Sequence, residues 1–243
     1  METFNTKYGF ITLKSNEEYI IEPYRQGKYW EDIDLIKLKS YIDCDRNILE
    51  IGGHSGTSTI AYSTFLDKGK IYVFEPQSEM FDILNINIKQ NKLQDKIFSY
   101  NQAVFCFNGK GNMNKYTLDG SNLHEPIKDN NKILNYGGMC IGGKGEEIEF
   151  ITMNSMNIDN IGFIHIDAQG SEPFIFSQGL DLINKNRPVI YYERPERRFM
   201  NNILRNYPEY ENLKDFDIKK YCIEKLNYKE VFINGENILL VPC

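Results

Sequence analysis

The segment Glu50-Ile51-Gly52-Gly53-His54-Ser55-Gly56-Thr57 closes one apolar run and opens another, so it reads as a strand-to-helix turn. Glycines there let the chain turn tightly and bring backbone N–H groups close to a ligand. The dinucleotide fingerprint G-x-G-x-x-G needs glycine at positions 54 and 57, where His54 and Thr57 stand, so that motif fails. What remains is an acid two residues before the first glycine, then Gly-x-x-x-Gly. A carboxylate in that place repels a pyrophosphate and suits a ligand with a cationic amine. The next strand ends in Glu75, 25 residues on, where an acid can accept both hydroxyls of a ribose. An amino-acid end at the first turn and a ribose at the second strand together describe S-adenosylmethionine, the expected cofactor.

These residues need elements to hold them. Residues 48–51, 71–74, 97–105, 162–166 and 189–192 are short apolar runs that read as strands. Between them, 57–66, 78–91 (with Ser78 as N-cap) and 172–184 carry helical spacing. Such alternation predicts an α/β fold, a mostly parallel sheet with helices on both faces. A helix over 217–226 precedes runs at 229–233 and 237–241, which flank Asn234-Gly235-Glu236 and predict an antiparallel C-terminal hairpin. Residues 1–45 read as an N-terminal extension with Tyr24, Tyr29 and Trp30, ending in a helix at 31–43. Residues 107–152, rich in Gly and Asn, are too long for a simple connection and predict a β-rich insertion or a flap. The expected organisation is one domain over 1–243 carrying both additions.

Several of these pieces, in this order, resemble the FkbM-type methyltransferases within the class I S-adenosylmethionine-dependent, Rossmann-like fold. They are ILEIGGHSG at 48–56, VFEPQ at 73–77 followed by NINIKQNKL, NQAV at 101–104, FIHIDAQGSE at 163–172 and NRPVIYYE at 186–193. The resemblance implies a seven-stranded sheet and cofactor contacts from Glu50, Gly52, Gly53, His54 and Ser55. It also implies ribose contacts from Glu75 and adenine contacts around Gln77 and 101–103, which include Gln102 and Ala103. This chain departs from the family pattern at Gly53, His54, Asn154, His165 and Gln169, the last three where Asp, Lys and Glu are usual.

Methyl transfer requires an acceptor held in line with the sulfonium methyl, and a sugar hydroxyl gains from a base that takes its proton. Asp167 ends a central strand, where α/β folds bind ligands, and is expected to contact the cofactor or act as base. His165 lies two residues earlier on the same sheet face and could complete a His–Asp pair. Mid-strand histidines, however, are more often buried and merely hydrogen-bonded. Glu193, at the next strand end, could hold an acceptor hydroxyl or pair with Arg194, Arg197 or Arg198. That basic run could instead hold a phosphate or an anionic sugar. Tyr29 and Trp30 either anchor the N-terminal segment or stack on a sugar. His54 is expected to act through its backbone N–H, and His124 to lie on the surface. Asp167, Glu172 and Glu193 could ligate a metal in principle, but no histidine–carboxylate spacing demands one, and no metal is expected.

With 243 residues, 41% hydrophobic, the chain can bury a full core. A net charge of -6 argues against nucleic acid as partner. No run approaches a membrane span, and the opening METFNTKYGF lacks a secretory pattern. Five scattered cysteines predict reduced thiols and a cytoplasmic setting. The expected function is O-methylation of a sugar or glycan hydroxyl, with the oligomeric state open. The alternative is a non-catalytic binding module or assembly subunit that keeps the fold, which the changes at 154, 165 and 169 motivate. A nicotinamide-dependent dehydrogenase is disfavoured by the failed glycine spacing.

Overall fold

The computed structural model describes residues 1–121 and 133–243, so His124 lies outside the described residues. The chain begins with a hairpin, β1 Glu2–Thr6 and β2 Gly9–Leu13, then α1 Ile21–Arg25 and α2 Asp32–Leu38. There follow β3 Asn47–Ile51, α3 Thr57–Ser63, β4 Ile71–Phe74, α4 Ser78–Gln90 and β5 Ile97–Tyr100. Three short strands come next: β6 Ala103–Val104, β7 Gly109–Asn112 and β8 Glu147–Ile151. The second half is β9 Ile161–Ile166, α5 Glu172–Ser177, α6 Leu180–Asn186, β10 Val189–Glu193, α7 Arg197–Asn206, α8 Ile218–Leu226, β11 Tyr228–Val231 and β12 Asn237–Pro242.

Seven strands form one sheet in the order β11-β12-β10-β9-β3-β4-β5. From β10 to β5 every pair is parallel, and β12 alone runs against its two neighbours. The expected C-terminal hairpin is present, and its second strand inserts between β10 and β11. All six residues of β9 are buried, as a strand covered on both faces requires. Alternation splits the core accordingly. Ile48, Val73 and Phe163 pack with α2, α3 and α4 on one face, while Leu49, Ile51, Ile164 and Ile166 pack with α5, α6 and α8 on the other. The sheet β6-β8-β7 packs its Ile148 and Phe150 against Phe174 of α5 and Met200, Ile203 and Leu204 of α7.

Four expectations shift in detail. The run at 97–105 is two strands in different sheets, because Asn101 turns the chain by donating to the carbonyls of Glu75 (2.9 Å) and Pro76 (3.0 Å). The helix expected over 172–184 breaks at Gly179, which passes so close to Met153 that a Cβ there would lie 1.9 Å from its Cε. Ser78 is the first helical residue rather than the cap; its hydroxyl reaches Glu146 and Asn101. The helix expected at 31–43 is α2 followed by a 3₁₀ turn at Lys39–Tyr41.

The hairpin β1–β2 has no counterpart in the sequence reading. Asn87 and Gln90 on α4 and Asn91 at its end fix it. Asn87 accepts from the Thr12 N–H at 2.7 Å and donates to the Thr12 carbonyl at 3.0 Å, as a neighbouring strand would. Asn91 does the same for Phe10, at 2.8 and 2.7 Å. On a helical wheel these amides look like a solvated face; here they replace water for an edge strand.

Candidate active site

At the carboxyl ends of β3, β4, β9 and β10 the sheet opens into a cleft of about 540 Å³. Its location is the one an open parallel sheet provides, where strand ends diverge and loops part.

On one side the β3–α3 turn forms the floor. Gly52 has φ +89, and a Cβ there would lie 1.7 Å from the Asp167 carbonyl oxygen. The glycine is needed because β3 and β9 end against each other, so the reason lies inside the protein. Gly52→Ala is expected to cost about 2 kcal/mol or more through clash and strain, read as a lowered thermal midpoint. The N–H groups of Gly52 and Gly53 donate to the Phe74 carbonyl at 2.9 and 3.1 Å. That of His54 donates to Glu75 Oε2 at 2.7 Å, and Gln77 N–H reaches Glu75 Oε1 at 2.8 Å. The expected ligand-facing role of the His54 N–H is therefore corrected: a buried carboxylate needs donors, and this N–H is one of its two. Burial pushes Glu75 up to about 7, while the two backbone donors pull the other way.

The His54 ring is held neutral, since burial lowers its pKa to about 4 against the opposing pull of Asp167. Its Nδ1 lies 3.2 Å from Ser55 Oγ, and its Nε2 has no partner among the described residues. Ser55 sits beneath the turn, 2% exposed, with its carbonyl bound by Asn87 at 2.7 Å.

Across the cleft, Gln169 joins the two strand-end acids. Its Nε2 donates to Asp167 Oδ1 at 2.9 Å and to Glu193 Oε2 at 3.1 Å. Burial and the charge of Asp167 hold Glu193 well above the usual carboxylate range, so Glu193 carries a proton at neutral pH. Behind them Glu172 is fully buried and raised to about 8, again first by burial. Gln169 has φ 48, as His54 has, and Glu31 at the opposite wall has φ 53. Three cleft residues thus hold a conformation that non-glycine residues seldom adopt.

The expected His165–Asp167 pair is not what the structure forms. His165 Nδ1 faces Glu50 Oε1 at 3.7 Å and the Tyr62 hydroxyl at 3.3 Å. The parallel register sets Glu50 opposite His165, so the adjacent strand supplies the partner. Burial disfavours the imidazolium, but Glu50 outweighs it and raises the His165 pKa, with Asp167 and Glu31 adding to the effect. Glu50 itself is 0% exposed, bonded to Ser58 Oγ, with Oε2 unpartnered among the described residues.

Of the residues singled out by sequence, Gly52, Gly53, His54, Glu75, Gln77, Gln102, Ala103, His165, Asp167 and Glu193 line the cleft. Glu50 and Ser55 lie below its floor. Tyr29 is an anchor, its hydroxyl donating to the Thr57 carbonyl at 2.6 Å, whereas Trp30 lines the cleft. Glu193 binds Gln169 rather than an arginine; Arg198 pairs with Asp119 and Glu196, and Arg194 with Glu230. Sequence reasoning missed Glu31 and Ser171, which line the cleft, and the bridging role of Gln169. Only Gln169 left a signal, as a departure from the family pattern.

The buried acids set an unusual pH response. Glu17, Glu75 and Glu172 titrate near 8, 7 and 8 in the folded chain against 4.5 when free. In that interval the folded chain holds protons that the unfolded chain has released. Their contribution to stability is therefore present below about pH 4.5 and is lost as pH rises through about 7 to 8. The unliganded chain is expected to melt several degrees higher at about pH 5.5 than at about pH 8. A lower midpoint at the acid value would contradict the buried-acid arrangement.

No protein-family model and no curated protein matches the sequence. Solved structures do match the fold. The methyltransferase FkbM from Methylobacillus flagellatus KT superposes with a TM-score of 0.52 at 10% identity, over 82% of this chain and 44% of that one. This chain thus spans less than half of that relative's length. A Staphylococcus aureus protein described as a caffeoyl-CoA O-methyltransferase superposes with a TM-score of 0.51 at 11% identity, over 88% of this chain and 85% of that one. The fold is that of the class I S-adenosylmethionine-dependent methyltransferases. The resemblance read from the sequence therefore has its counterpart in three dimensions. No helix among the described residues is long and apolar enough to cross a membrane.

Proposed function

We propose that the chain is a methyltransferase that uses S-adenosylmethionine to methylate a hydroxyl of a sugar or glycan. The observation that carries the cofactor is Glu75. Its carboxylate stands at the end of β4 in the cleft wall, fixed on two backbone N–H groups, with each oxygen able to accept one further bond. A ribose diol meets that demand. The neighbouring turn residues Gly52 and Gly53 line the same cleft, where the rest of the cofactor would lie.

When bound, S-adenosylmethionine supplies an electrophilic methyl group on a sulfonium. The chain's residues then do three things. Glu75 orients the ribose. Asp167, at the end of β9 and steadied by Gln169, stands where it can take the hydroxyl proton. Glu193, carrying its own proton, donates a hydrogen bond to an acceptor oxygen and leaves Asp167 as the acceptor of the pair. His165 is turned to Glu50 and the Tyr62 hydroxyl, and Glu50 favours its charged form, which works against a role as base.

The test is calorimetric titration with S-adenosylmethionine and S-adenosylhomocysteine, followed by transfer of a labelled methyl group to a panel of sugars and, in parallel, to RNA. Micromolar binding of both ligands with transfer to a sugar hydroxyl supports the reading. Transfer to RNA alone would replace the acceptor class. Binding without transfer to any acceptor would favour the non-catalytic module, and binding of a reduced nicotinamide cofactor in their place would revive the dehydrogenase.

A further inference from the structure

The cleft is lined by more acidic side chains than a cofactor with its own carboxylate calls for. Besides Glu75, its lining includes Glu31, Asp119, Asp167, Glu193, Glu196 and Glu236. Asp119 and Glu196 both pair with Arg198, at 3.1 and 2.9 Å. Arg194, on the same wall, is engaged by Glu230 at 3.8 Å. That leaves Glu31, Asp167, Glu193 and Glu236 without a lysine or arginine partner among the described residues. They come from four separate places: the residue before α2, the ends of β9 and β10, and the turn into β12. Glu31 is within electrostatic range of both Asp167 and Glu236, and Glu193 within range of Asp167, so the four converge on one space. Carboxyl groups brought together this way disfavour one another's ionisation, as Glu193 shows, and a cationic group bound among them would relieve the repulsion.

A second feature points to a polar ligand independently. Ser171 is 0% exposed, lines the cleft just after Gln169, and its Oγ has no partner among the described residues. A buried hydroxyl left unbonded costs about 1–3 kcal/mol, which a bound polar group would recover. Trp30, half-buried, lines the same cleft, and an indole is a surface on which a sugar can stack.

We propose that the methyl acceptor carries a protonated amine, as an amino sugar does, and that Glu31 and Glu236 hold this ammonium group while a neighbouring hydroxyl is methylated. The proposal rests on the methyltransferase reading above. The amine is a handle and not the nucleophile, for a chemical reason. Carboxylates around an ammonium stabilise its charged form, and an ammonium has no lone pair with which to attack. The hydroxyl reacts: an O–CH₃ bond forms, the sulfonium C–S bond breaks with its electron pair left on sulfur, and the hydroxyl proton passes to Asp167.

The experiment titrates glucosamine, N-acetylglucosamine and glucose into the full chain, with and without saturating S-adenosylhomocysteine. Glucosamine is expected to bind at least about tenfold more tightly than the other two, with the advantage shrinking in high salt. Glu31→Gln and Glu236→Gln each sit at exposed positions and are expected to fold normally. Each should reduce the glucosamine preference several-fold and leave S-adenosylhomocysteine affinity and the thermal midpoint unchanged. No preference for glucosamine, including no binding of any of the three sugars, overturns the proposal. So does a magnesium titration that saturates the same carboxylates and is lost in Glu31→Gln. Failure to bind S-adenosylhomocysteine is read separately: it removes the methyltransferase reading, and the sugar titrations without it still decide whether the cleft selects an amine.

Discussion

Glu75→Ala is expected to weaken S-adenosylhomocysteine binding by about 100- to 1,000-fold, because a ribose diol would lose two charge-assisted hydrogen bonds of about 1.5–3 kcal/mol each, partly recovered by water. The fold should survive. Glu75 is buried with its pKa raised to about 7, so removing it also removes a charge that the unliganded protein holds at a cost. The midpoint of the unliganded variant is expected within a few degrees of wild type. The same residue gives binding a pH dependence of known sign. Only the ionised carboxylate accepts both hydroxyls, so affinity should be flat above about pH 7 and fall by up to about tenfold per unit below it. In Glu75→Ala the slope should vanish. Retention of wild-type affinity in the variant would remove Glu75 from the cofactor site, and a slope that persists would assign it to another group.

Asp167→Asn is expected to lower kcat by about 100- to 10,000-fold, the range set by losing a positioned general base. The amide keeps the shape and can still meet Gln169, so KM for the acceptor and the affinity for S-adenosylhomocysteine should change far less than kcat. Stability should not fall, since the substitution removes a charge that disfavours ionisation of Glu193 and Glu172. The alternative assignment predicts differently: if His165 were the base, His165→Gln would carry the kcat loss and Asp167→Asn would not. His165→Gln should mainly destabilise the fold, because it takes away the imidazole that faces the buried Glu50.

Much of this was legible along the chain. Strand runs such as Ile48–Ile51 and Gly162–Ile166 have nowhere to go but a sheet covered on both faces, and the glycine turn follows the first at once. Glu75 was legible because its position is local: it is the first residue after a strand, and strand ends in such sheets point into the ligand crevice. Glu50 was misplaced by the same logic. Its sequence position marks the right turn, but Glu50 lies within β3, one residue before the strand ends, which puts it under the floor and beside His165 of the adjacent strand. The His165–Asp167 pairing failed for a related reason. Period-two alternation says which face a residue shares, and register with the next strand says which neighbour it meets.

By itself the sequence determined most elements of the main sheet, the sheet class and the end of the sheet where chemistry would happen, because hydrophobic periodicity and turn residues act over a few positions. Tertiary structure alone decided which acids meet. Gln169 reaches Glu193 across 24 residues, Asn87 serves as a strand edge for Thr12 across 75, and Glu31 joins Asp167 and Glu236 from opposite ends of the chain. Those pairings depend on how strands register and loops pack, and their electrostatics depend on burial. Neither quantity is written in the spacing of residues along the chain.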